Sequence, residues 1–206
     1  MQNIQLSLHF ELREFTESAT ARGYGIVNEP PPEAVDNLKA LCVNTLEPLR
    51  EALGLPIIIT SGYRCKALNE LITHHSTRSQ HRTGEAADFW VQGSKFKVQD
   101  QNLVQGSKFK VQDQNLVQGS KFKVQDQNLV QGSKFKVQGV SPRELLIRAF
   151  RTIITDPTVD YDQLIIYPTF IHVSYISRER NRHKLTKGFG NGKYCALSRE
   201  EALMIC

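Results

Sequence analysis

No apolar run in this 206-residue chain is long enough to cross a bilayer, which excludes a membrane-spanning helix. The first residues, Met1-Gln2-Asn3-Ile4-Gln5, lack a basic stretch followed by an apolar one. No signal peptide is therefore expected, and the chain is expected to be cytoplasmic as synthesised, with no membrane partner. Cysteine is scarce, and Cys42, Cys65, Cys195 and Cys206 show neither zinc-finger nor redox spacing, so reduced thiols are expected. An excess of positive charge is missing from most of the chain as well. The net charge is +5, but residues 94–138 hold eight lysines against three aspartates, and this stretch accounts for all of it. A charge confined to one stretch says little about what the remainder binds, so no nucleic-acid partner is expected.

What that stretch does contain is a repeat. A 13-residue unit, Ser-Lys-Phe-Lys-Val-Gln-Asp-Gln-Asn-Leu-Val-Gln-Gly, begins at Ser94, Ser107 and Ser120, and a truncated copy runs from Ser133 to Gly139. Its alternating Lys-Phe-Lys-Val-Gln and polar Asp-Gln-Asn suit hairpins that support one another. Identical copies also fit a recent duplication without fixed structure. Residues 1–93 and 139–206 are expected to form a single domain, with 94–138 a tandem-repeat insert in one of its loops, and a monomer is expected.

Along that domain, Leu12, Phe15 and Ala19 predict a helix ending at Gly23. A longer helix follows Pro30-Pro31-Pro32 with an apolar stripe from Val35 to Leu53, and Pro48 is expected to kink it or end its regular part. Pro56 to Thr60 reads as a buried strand that delivers Ser61-Gly62-Tyr63-Arg64 at its end. A short helix around Leu68 leads to a polar loop in which His74 and His75 are expected to be solvated. Ser141-Pro142-Arg143-Glu144 is a capping box that opens a helix with Leu145, Leu146, Ala149, Phe150 and Ile153 on its core face. Tyr161 to Tyr167 and Phe170 to Tyr175 read as a tight antiparallel strand pair. The basic tail that follows is expected to be a solvated charge run, with His183 on its surface and Ser198-x-x-Glu201 opening a last short helix.

Chemistry concentrates in Ser79-Gln80-His81-Arg82-Thr83-Gly84-Glu85-Ala86-Ala87-Asp88. A histidine and an aspartate seven apart do not share a helical face, so the chain must turn between them, with Gly84 as the pivot. Asp88 then sits in a strand among Ala87, Phe89 and Trp90, where a carboxylate needs a cation or a hydrogen-bond donor. Either residue alone reads as part of an ordinary turn. His172, in the apolar run 170–175, supplies a third ligand, and two histidines with one carboxylate are a common catalytic zinc set. His81, Asp88 and His172 are therefore the candidate metal ligands. Arg64 is the candidate fixed cation, able to hold a substrate carboxylate or a developing oxyanion.

Ser61-Gly62-Tyr63-Arg64, Ser79-x-His81-x-x-Gly84-x-Ala86-x-Asp88 and Ile171-His172-Val173-Ser174, in that order, resemble the zinc D-alanyl-D-alanine carboxypeptidase family. This group includes vancomycin-resistance dipeptidases and phage endolysins, and it shares its fold with the hedgehog signalling domain. Leu6-Ser7-x-His9-Phe10, Asn28-x-Pro30-Pro31 and Leu46-Glu47-Pro48-Leu49-Arg50 are similar to its small bacterial and phage members. The resemblance covers about residues 4–93 and 139–176. It implies an α+β fold in which a small antiparallel sheet carries the metal site between flanking helices. It also implies a zinc cofactor, and a peptidoglycan or muropeptide substrate cut next to D-alanine and reached after phage-type lysis. Ser79 and Arg64 would contact substrate or stabilise charge. Many relatives carry an acidic general base three positions before the last histidine; here that position is Thr169, which keeps open a non-catalytic, metal-containing wall-binding module of the same fold.

Overall fold

Six short strands build one sheet: β1 (Ile57–Ser61), β2 (Ala86–Val91), β3 (Gln163–Ile166), β4 (Ile171–Ser174), β5 (Lys184–Gly188) and β6 (Tyr194–Ala196). A computed structural model describes residues 4–72, 76–93 and 140–206 of the chain; the repeat insert at 94–138 with its expected hairpins, and His74 and His75, lie outside the described residues. The strand order is β1-β2-β4-β3-β5-β6. Chain from both sides of the insert thus pairs directly, β2 against β4. The expected small antiparallel sheet is larger and mixed, because β5 joins β3 in parallel.

The last thirty residues correct a second expectation. In place of a wholly solvated basic run they supply β5 and β6, with Arg178, Arg180 and His183 exposed; the expected last helix, α7 (Arg199–Leu203), follows, capped by Ser198 and Glu201. Leu185, Ala202 and Ile205 are buried in the same core as the rest of the sheet. Lysines at 184 and 187 bracket Leu185 and hide the strand's period from a reading based on charge.

The helical layer contains a third difference. Instead of one helix to Gly23 there are two, α1 (Leu12–Thr16) and α2 (Ala19–Gly23), since the Ser18 side chain caps the second by accepting the Ala21 N–H at 3.2 Å. Helix α3 (Pro32–Leu41) passes through a widened π turn, Cys42–Leu46, into α4 (Glu47–Leu53). Pro48 has no N–H to offer the Asn44 carbonyl four residues back. The Asp160 N–H takes that acceptor at 3.0 Å, and the Thr45 hydroxyl donates to the Asp160 carbonyl at 2.5 Å. The proline therefore leaves a docking point for the chain that leads into β3. Beside it, Glu47 accepts the His9 backbone N–H at 2.6 Å and pairs with its ring at 2.9 Å.

Helix α5 (Lys66–Glu70) follows β1, and α6 (Pro142–Thr155) follows the insert, opened by the reciprocal Ser141–Glu144 capping box. Leu145, Leu146, Phe150 and Ile153 on α6 are buried, each such side chain contributing roughly 1.5–3 kcal/mol. Helix α6 packs on β2, β3 and α4. Ala87, Phe89 and Val91 of β2, Ile171 and Val173 of β4, and Leu164 and Ile166 of β3 belong to the same core. The period of two then sends Asp88 and His172 to the opposite face. Among the described residues no helix is long and apolar enough to cross a membrane, and the four cysteines are unpaired.

Candidate metal centre

Gly84, at φ +76°, reverses the chain between the 3₁₀ turn Gln80–Arg82, which carries His81, and β2, which carries Asp88. The sheet register sets His172 directly opposite Asp88. The three side chains meet on one face. His81 Nε2 lies 3.4 Å from Asp88 Oδ1 and 3.2 Å from His172 Nδ1, and His172 Nδ1 lies 2.8 Å from Asp88 Oδ1. Tetrahedral zinc with ligands at about 2.0–2.2 Å separates its donor atoms by about 3.3 Å. Two of the three edges match that spacing, and the short one is a direct hydrogen bond.

The tautomer of His81 follows from its other nitrogen. His81 Nδ1 is 2.7 Å from the Gly62 carbonyl, so Nδ1 carries the proton and Nε2 turns a lone pair toward the centre. A second bond, from the Arg64 backbone N–H to the His81 carbonyl at 3.0 Å, ties the same two segments. Gly62 is required for this approach: a Cβ there would lie 2.5 Å from Phe15 Cβ and 2.6 Å from its Cα.

Electrostatics favour a metal-ready state. Burial pushes the His81 imidazole down to about 4, outweighing the opposing pull of Asp88, so the ring is neutral at ordinary pH. Burial alone would raise the Asp88 carboxyl, but the two imidazoles beside it win and hold it well below the usual carboxylate range. A neutral imidazole at His81 and an ionised carboxylate at Asp88 are the protonation states that a divalent metal requires of those two ligands. This donor set, buried and convergent, fits a zinc site.

Arg64 Nη2 stands 3.7 Å from Asp88 Oδ2, in a loop just past β1, with its side chain 14 % exposed. Burial lowers the guanidinium pKa from its ordinary value, with the Asp88 charge opposing. Ser79 is half-buried and opens the turn through its backbone, giving its N–H to the Ser76 carbonyl and accepting the Arg82 N–H at 3.0 Å. Thr169 is exposed in the turn between β3 and β4.

Tyr167 enters unannounced by any spacing. It lies on the metal-bearing face beyond β3, stacked on Phe170 with ring centroids 4.3 Å apart, its hydroxyl donating to Tyr194 at 3.2 Å. Burial, then the Tyr194 hydroxyl, push its phenol far above the usual range, and the Asp88 charge adds to this. Its ring occupies the space that a side chain at Gly188 would fill. Only the tail strands β5 and β6, which charge patterning conceals, could have revealed this pairing.

No curated protein and no solved structure matches the chain. The family described as Peptidase M15 matches residues 8–117. That span is over half of the sequence and takes in Arg64, Ser79, His81 and Asp88, with His172 beyond its end. With a buried His-Asp-His group that fits zinc and a matching family profile, the chain belongs to the Peptidase M15 family of zinc peptidases.

Proposed function

We propose that this protein is a zinc-dependent peptidase that hydrolyses peptide bonds next to D-alanine in peptidoglycan stem peptides or their precursors, acting as a carboxypeptidase, dipeptidase or endolysin. The convergence of His81 Nε2, Asp88 Oδ1 and His172 Nδ1 on the face that also presents Arg64 supports this reading more than any other observation. His81, Asp88 and His172 would hold the zinc, which when bound supplies Lewis acidity toward a peptide carbonyl and lowers the pKa of water. Arg64, fixed by its backbone bond to His81, orients the substrate's terminal carboxylate or steadies charge developing on the scissile carbonyl. Ser79, two residues before His81, would contact the incoming peptide. The test is digestion of purified muropeptides by zinc-loaded and chelator-treated protein. Loss of a D-alanine-containing fragment only when zinc is present is the expected result; no product from the zinc-loaded protein overturns the reading.

Within it, Arg64→Ala is expected to lower kcat/KM about 10²–10³-fold with zinc content unchanged. Arg64→Lys should recover little of that, because an ammonium lacks the planar fork. Steady-state kinetics alongside metal analysis checks both.

One observation favours a second reading. Thr169 is a hydroxyl where relatives place an acid, and a hydroxyl does not serve as general base near neutral pH. The alternative is a metal-containing module that binds wall peptide without cutting it. Turnover that disappears in a His172→Ala variant eliminates it.

A further inference from the structure

Asp162 is fully buried at the entrance to β3, and a carboxylate there is costly unless donors surround it. Its donors come from three separate places. Arg182, in the segment leading to β5, gives its backbone N–H and Nε to Oδ1 at 2.9 and 2.7 Å, and Nη2 to Oδ2 at 2.5 Å. Gln80 gives its side-chain amide to Oδ2 at 2.9 Å, and the Ser174 hydroxyl reaches the same oxygen at 3.4 Å. The backbone adds the Asp162 N–H to the Ser174 carbonyl at 2.7 Å and the Lys184 N–H to the Asp162 carbonyl at 2.9 Å.

The placement of those partners is informative. Gln80 directly precedes His81 in the 3₁₀ turn, and Ser174 follows His172 by two residues on the same face of β4. One carboxylate thus grips both histidine-bearing segments from outside the metal group. Arg182 closes the grip, since its Nη2 also lies 3.5 Å from Gln80 Oε1. An ion pair with one buried partner is a poor source of stability compared with apolar packing, but it fixes geometry, and ligand geometry governs metal affinity.

We infer that Asp162, with Arg182 and Gln80, is a positioning cluster that holds the His81 turn and β4 at the separation zinc needs, making the tail beyond residue 176 part of the metal site. This rests on the zinc reading above. Among the described residues the side chains of Asp162, Arg182 and Gln80 bond to one another and not to those of His81, Asp88 or His172, so the effect of the cluster should appear in metal affinity.

The experiment compares zinc dissociation constants, measured by competition with a chromophoric chelator, and thermal unfolding of the metal-free proteins. Gln80→Ala and Arg182→Met are expected to weaken zinc 10–100-fold. Asp162→Asn, which keeps the shape and loses the charge, is expected to weaken it at least as much. Arg199→Met breaks a remote bond to the Ile154 carbonyl and serves as control, with unchanged zinc affinity expected. If Gln80→Ala and Arg182→Met bind zinc as tightly as the unaltered chain, the cluster is structural only and the inference fails. It fails equally if the Arg199→Met control, at equal loss of unfolding temperature, weakens zinc as much. An unaltered chain that takes up no zinc overturns both this inference and the zinc reading.

Discussion

His172→Ala is expected to strip zinc and peptidase activity from the protein together. Substitutions that merely disturb the orientation of a ligand cost 10–100-fold in affinity or activity, so deleting a ligand should cost more than about 10²-fold in zinc affinity and leave no measurable turnover. The structure indicates why no neighbour compensates. His172 Nδ1 is the group nearest to Asp88 Oδ1, at 2.8 Å, and Val173 and Ile171 beside it face the core. Removing the ring leaves the carboxylate of Asp88 with His81 at 3.4 Å and Arg64 at 3.7 Å. With that partner gone, the metal-free variant should also lose about 1–3 kcal/mol of stability. Metal analysis, muropeptide turnover and thermal unfolding of one preparation check all three outcomes. A variant that keeps one zinc per chain and cleaves at the original rate would remove His172 from the site.

Much of the centre is legible in the sequence. Glycine at 84 forces a turn, the apolar run Ala86–Val91 leaves the carboxylate of Asp88 in need of a partner, and a second strand carries His172; local chemistry dictates each of these. The helix at Pro142 is equally plain, because its capping box and apolar stripe agree. What stays hidden depends on contacts remote in sequence. Gly62 reads as a turn residue, yet its carbonyl sets the tautomer of His81. Asp162 reads as an ordinary residue of the strand 161–167, and its partners at 80, 174 and 182 share no spacing rule. The tail misleads because lysines and arginines dominate its composition, while β5 sends only Leu185 into the hydrophobic core and is held by backbone pairing with β3 and β6. Pro48 reads as a defect in a helix, whereas its missing N–H creates the acceptor that docks Asp160.

Gly84→Ala is expected to be severely damaging for a change of one methyl group. Two costs coincide at that position. The backbone sits at φ +76°, where an L side chain is strained by roughly 1–2 kcal/mol. A Cβ would also lie well under 3.0 Å from the Ala34 carbonyl oxygen and 3.1 Å from its Cα. Ala34 is backbone in the first turn of α3 and is itself buried, so it has no flexible end to swing aside. Either α3 moves out of the core or the turn between His81 and Asp88 opens, and the first costs core packing while the second separates two ligands. The expected loss is about 3 kcal/mol or more, with zinc affinity falling in the fraction that stays folded. Gly54 supplies the comparison, because it has nearly the same φ, +63°, and open space around it. Gly54→Ala should cost only the strain, about 1 kcal/mol, and leave zinc binding intact. Chemical denaturation of both variants, paired with chelator competition, separates strain from collision. Equal losses for the two would show that α3 gives way freely, and that its first turn does not brace the metal-bearing loop.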